Sequence, residues 1–168
     1  MKIFIGPYPD TEQFPDAEGE QEVSVQIDPW DTWSMDNTLA LIVLPMLKQL
    51  KKTKHGASFV DNEDVPESLA MPEGWREEKY SVNGETDPHF FERWDYVLDE
   101  MIWAFEAINA DPADEHAQFY GPLIRSEIED GEMKLEYEWR NEEGIKAHHE
   151  RMDNGFRLFG KYYRSLWD

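Results

Sequence analysis

Apolar residues recur along this chain with distinct periods, and each period predicts an element. Ile145, His149, Met152, Phe156, Phe159, Tyr163 and Leu166 repeat in steps of four and three, the spacing of one helix face, so a helix is predicted over 145–166. Phe90, Trp94, Val97, Met101, Phe105 and Ile108 form a second such stripe. They predict a helix from Pro88 to about Asn109, with Asp87 as N-cap and proline at its first position. Earlier in the chain, Leu39, Leu41, Ile42, Val43, Leu44, Met46, Leu47 and Leu50 are apolar almost all the way round a helix predicted over 34–54. Such a helix is expected at the centre of the fold, covered on several sides. Thr32 and Ser34 are its candidate caps, and Lys48, Lys51, Lys52 and Lys54 suit its C-terminal dipole. Pro45 removes a donor within it and predicts a kink.

Alternation with a period of two marks the strands. Lys2–Ile5 and Val23–Ile27 are predicted as short strands, the second half-buried. Met133, Leu135, Tyr137 and Trp139 alternate with Glu132, Lys134, Glu136 and Glu138. With Ile124 and Ile128 across an Asp130-Gly131 turn, they predict a hairpin over 124–140. The intervening stretches, 7–22 and 57–87, are acidic and rich in proline and glycine, and are predicted as irregular. Gly155 and Gly160 each weaken the last helix by roughly 1 kcal/mol, which predicts close approach of a neighbouring element at both. The expectation is an α+β fold in one domain, 1–168. Three long helices, the first central, pack with one small antiparallel sheet that includes the hairpin.

Charge changes the functional picture more than the fold. The chain has 37 acidic and 16 basic residues, a net charge of −21. That charge repels nucleic acid and anionic membrane surfaces at long range and favours cationic partners, above all a basic protein surface. With no cysteine, disulfides, thiolate catalysis and thiolate-bound zinc are excluded. No signal peptide is visible, because Met1–Ile5 is cut short by Gly6-Pro7. The longest apolar run, 39–44, is far too short to span a bilayer.

One segment concentrates the candidate chemistry. Asp28, Trp30, Asp31, Trp33 and Asp36 lie within ten residues. Large rings beside charges either fix a helix entry or make a binding surface. This wording, Trp30-Asp31-Thr32-Trp33-Ser34-Met35-Asp36, resembles a family of small proteins encoded by tailed bacteriophages. The resemblance continues through Pro45–Lys51, Phe91–Glu106 and Asn154–Tyr163 to Leu166-Trp167-Asp168, about half the chain. It departs at Asn37, where the family pattern has histidine. It implies action in the cytoplasm of an infected bacterium and carries no catalytic assignment.

Other constellations offer weaker chemistry. Glu92, Asp95, Asp99 and Glu106 share one face of the second predicted helix, a row that suits magnesium or manganese, although the simpler reading is a solvated face. His148 and His149 begin the last helix; His149 falls on the apolar stripe and reads as a core residue, and no Glu-x-x-His occurs on a predicted helix to support a di-iron site. Walker, Rossmann and nucleophile-elbow patterns are absent.

The sequence therefore favours an accessory protein that binds a basic protein of host or phage, rather than an enzyme. No direct contact with nucleic acid or membrane is expected of it. Its expected contact residues are Glu18, Glu20 and Glu22 in the first acidic loop, Asp61, Glu63 and Asp64 in the second, and the Asp28–Asp36 cluster. A specific form of this reading is mimicry of nucleic-acid charge. No cofactor is expected. The alternatives are a metal-dependent enzyme or nucleotide-binding protein using the helix carboxylates, and a virion or packaging component.

Overall fold

The computed structural model describes residues 1–6, 22–129 and 132–167. It is α+β. Among the described residues, the strands are β1 (Lys2–Ile5), β2 (Val23–Gln26), β3 (Leu123–Glu129) and β4 (Glu132–Tyr137). The helices are α1 (Met35–Thr53), α2 (Ser81–Asn83), α3 (Phe90–Ala107), α4 (Pro112–Phe119) and α5 (Glu142–Lys161). The predicted acidic loop 7–22, apart from Glu22, and the Asp130-Gly131 turn lie outside the described residues. The chain divides into two compact units, Met1–Leu39 and Ala40–Asp168.

In the first unit β1 and β2 pair antiparallel, with Ile3 opposite Val25 and Ile5 opposite Val23. Residues directly opposite share a face, so these four apolar side chains line one face of the ribbon. The sequence reads β2 as half-buried, yet Val23 and Val25 are exposed. A 3-10 turn, Pro29–Thr32, then leads towards α1.

The second unit holds the core. Half of the eighteen residues of α3 are buried, among them Trp94, Val97, Leu98, Met101 and Ala104. In α1 only Ala40 and Leu47 are buried. Centrality thus belongs to α3, and the expectation of a central first helix is not met. The reason is that α1 turns a flank of lysines towards α3 while Leu41, at 70 % exposure, and Met46 face outward. The helix runs through Pro45 without interruption.

The predicted stripe on α5 is displaced by about one position. Gly155, Leu158 and Tyr162 are its buried residues, while Met152, Phe156 and Phe159 are half-buried and Tyr163 is exposed. Gly155 causes this: a Cβ there would lie 2.5 Å from both the Ala104 Cβ and the Glu100 carbonyl oxygen. Its bare backbone lets α5 press directly on α3. Around a Cβ at Gly160 there is no described atom within 4 Å, so the expected close neighbour is absent there.

Among the described residues, two two-stranded sheets, β1–β2 and β3–β4, stand in place of the predicted single one. Alternation specifies which face of a strand is apolar, and it does not specify which edges meet. Helix α4 is not foreseen in the sequence. Asp111-Pro112 reads as a terminator, but the Asp111 carboxylate accepts from the Ala113 amide at 2.8 Å and opens a new helix.

Candidate functional site

Every apolar side chain described in the first unit is exposed. The extreme cases are Trp30 and Trp33, at 76 and 82 % exposure. Their ring centroids are 6.1 Å apart with an interplanar angle of 43°. The aspartates around them build the turn that presents them. Asp28 accepts from the Trp30 amide at 3.0 Å, and Asp31 accepts from the Asp28 amide at 2.7 Å, a reciprocal capping box. Asp31 also takes the Met1 ammonium at 2.6 Å. That hydrogen bond, with the Asp28 amide second, holds the Asp31 carboxyl below its ordinary value. Asp36 lies in the first turn of α1 and is exposed. The segment is therefore both a helix entry and a displayed surface, with the carboxylates doing the first job and the indoles the second.

The loop acids divide. Glu18 and Glu20 lie outside the described residues. Glu22 is exposed, and its carbonyl accepts from the Gly6 amide at 2.8 Å. Asp61, Glu63 and Asp64 do not form a bare acidic patch. Their oxygens lie within 4.8 Å of one another, and the Lys161 ammonium sits among them at 2.9, 2.9 and 2.6 Å. Asp64 is buried; it accepts from the Tyr162 hydroxyl at 2.6 Å and pairs with Arg157 at 2.7 Å. Burial alone would raise its pKa, but Lys161, Tyr162 and Arg157 together hold it down. Lys161 is raised, first by Asp64 and then by Asp61 and Glu63. The cluster carries its own cation, and it fastens the loop at 61–64 to the end of α5. It works as a clasp, whereas the sequence suggested a contact surface.

The carboxylate row on α3 is likewise matched by cations. Asp95, Asp99 and Glu106 pair with Lys54, just past the end of α1, and with Lys51 and Lys48 on it, at 2.9 Å for the first and 2.6 Å for the last. Glu92 meets Nδ1 of His89 at 2.5 Å. The row meets ammonium groups where a divalent-metal site needs a second set of oxygen ligands. The two histidines reverse the expected order. His148 is the inward one, between Trp103 and Phe119 at 5.1 and 5.2 Å, and His149 is exposed.

Two ion pairs, one buried and one partly buried, are not evident in the sequence pattern. Arg93 and Asp87 are 1 and 4 % exposed, and the pair is bidentate, with Arg93 also donating to the Leu69 carbonyl at 2.9 Å. Burial raises the Asp87 pKa less than the bonds from Arg93 and the His89 amide lower it. Arg151 holds Glu100 at 3.0 and 2.7 Å and lies 4.1 Å from the Trp103 ring centroid. Arg93 sits one residue before Trp94 on the core stripe, and its spacing of six from Asp87 is the one available signal. An apolar groove of about 530 Å³ is lined by Val43, Leu47, Leu50, Phe159 and Leu166. It brings together no acid, base and nucleophile.

No described helix is long and apolar enough to cross a membrane. No family model, no curated protein and no solved structure matches this chain.

Proposed function

We propose that this protein acts by binding a basic protein, with Trp30 and Trp33 as the anchors. The observation that carries this reading is the pair of tryptophans, more than three-quarters exposed, on a turn already fixed by its capping box. Tryptophan is enriched among residues that dominate binding energy, and a preorganised turn loses little entropy on docking. Asp28 and Asp36 border the rings, and the chain carries a net charge of −21, so long-range attraction steers a cationic surface towards it. The apolar face of Ile3, Ile5, Val23 and Val25 extends the contact area. The setting is the cytoplasm of an infected bacterium, with a basic host or phage protein as partner, and no cofactor takes part.

The test is recovery of partners from infected bacteria with a C-terminally tagged full chain, which leaves the Met1 ammonium on Asp31. A basic protein should co-purify with the wild type and be lost with the Trp30→Ala/Trp33→Ala double variant. Its association should slow as salt rises, since screening acts over roughly 8–10 Å at physiological ionic strength. Equal recovery by the wild type and the double variant refutes the reading. If the protein mimics nucleic-acid charge, it should also displace duplex DNA from that partner.

A further inference from the structure

The hairpin of β3 and β4 has two chemically opposite faces. Register places Ser126 opposite Leu135 and Ile128 opposite Met133. Leu123, opposite Tyr137, belongs to the same face, and Ile124 is the extra residue of a bulge between Leu123 and Arg125. Register also places Arg125 opposite Glu136 and Glu127 opposite Lys134 on the other side, where Arg125 pairs with Glu127 at 2.6 Å. At its base the apolar face is covered: the His116 and Tyr120 rings lie 5.1 and 4.8 Å from Tyr137. Beyond that point the cover stops. Ile128, Met133 and Leu135 are 75, 69 and 46 % exposed, and Leu123 at the base is 53 % exposed. A hairpin with one uncovered apolar face is marginal in water by itself and gains by burying that face.

The geometry points to a second copy of this chain as what covers it, with two hairpins packed face to face about a two-fold axis. Charge selects this occupant. The molecule is strongly acidic, so most of its surface repels a like molecule. Here the apolar face carries no charge at Leu123, Ser126, Ile128, Met133 or Leu135, and on the opposite face Arg125 pairs with Glu127 along β3. Two copies meet on this face without apposing carboxylates. Area agrees: four such side chains present roughly 400 Å² per copy, within the range of patches that mark interaction sites. With strand backbone and rim, two copies would bury on the order of 1,200 Å², the lower bound of specific interfaces. Face-to-face packing is preferred to edge pairing because pairing edges would leave the apolar faces wet. This assembly is independent of the tryptophan surface.

The test uses the full chain in sedimentation from micromolar to hundreds of micromolar concentration. The expected result is a monomer–dimer equilibrium that Ile128→Asp weakens by about tenfold or more, with an unchanged circular-dichroism spectrum. The absence of native cysteine allows a second readout. Ser126→Cys, at the centre of the face, should be joined to a second copy by a short bis-maleimide that spans the roughly 10 Å between packed sheets. Glu127→Cys, on the opposite face, should not be joined. A monomer at every concentration, or a dimer that Ile128→Asp leaves intact and Ser126→Cys does not cross-link, overturns the proposal.

Discussion

Replacing Gly155 with alanine should destabilise the protein, although alanine is the better helix former. In an open helix the change gains about 1 kcal/mol. Here the new methyl would sit 2.5 Å from the Ala104 Cβ and 2.5 Å from the Glu100 carbonyl oxygen. Neither atom is the far end of a flexible side chain, so α5 must retreat by most of an ångström. That retreat loosens Leu158 and Tyr162, which pack along the same line with Trp94 and Met101. Overpacking of this kind costs about 1–3 kcal/mol, and backbone on the opposing side places this case at the upper end. After the propensity gain, a net loss of about 2 kcal/mol is expected, or roughly 4–8 °C in Tm for a chain of this size. Gly160→Ala is the internal control: it meets no described atom within 4 Å and should be neutral or stabilising by up to about 1 kcal/mol. Urea unfolding followed by far-ultraviolet circular dichroism measures both. Equal effects of the two substitutions would refute the close approach of α3 and α5.

Asp87→Asn should cost about 3–5 kcal/mol, because it leaves the Arg93 guanidinium buried without its counter-charge; a urea midpoint close to that of the wild type would contradict this. At alkaline pH, burial and then the bond to Asp64 lift the Tyr162 hydroxyl from 10.0 to about 12. The folded chain keeps a proton that the unfolded chain releases, so this stabilisation is complete below pH 10 and lost as pH rises through about 12. Tyr162→Phe should flatten stability against pH in that window, and an unchanged slope would refute the assignment. Lys51→Ala should shift stability by less than about 1 kcal/mol, since an ion pair this exposed contributes little; a larger loss in thermal unfolding would give the lysine ladder more weight than its exposure allows. Titration of the wild type with magnesium or manganese should show no site tighter than weak millimolar binding on the α3 row. A stoichiometric micromolar site abolished by Asp95→Asn or Asp99→Asn would restore the metal reading.

The positions of α1, α3 and α5 were legible because stripes such as Phe90–Ile108 leave little freedom in period. The hairpin was legible for the same reason. Which helix lies at the centre was not legible. The apolar ring of α1 suggests full burial, but Lys48 and Lys51 sit on that helix and Lys54 just past it, and their partners on α3 are forty or more residues away. The α5 stripe was misplaced because the decisive residue, Gly155, has no side chain to register in an apolar pattern. Among the candidate site residues, the Trp30–Asp36 segment stands out in the sequence by composition alone. Its division of labour between carboxylates and indoles was not, because capping depends on backbone geometry. The trio Asp61, Glu63 and Asp64 looked like solvent-facing charge until a lysine from the other end of the chain was placed among them.

That lysine has a consequence for the chemistry of the surface. An amine attacks acylating and alkylating reagents only as the free base, and three carboxylates keep Lys161 as ammonium. Although its side chain is 29 % exposed, it should be the slowest lysine in the chain to be modified. Exposed Lys52 should be among the first. Once acylated, Lys161 could no longer neutralise Asp64. The loop at 61–64 would then rely on Arg157 and the Tyr162 hydroxyl for its hold on the end of α5, so modification should be accompanied by local loosening.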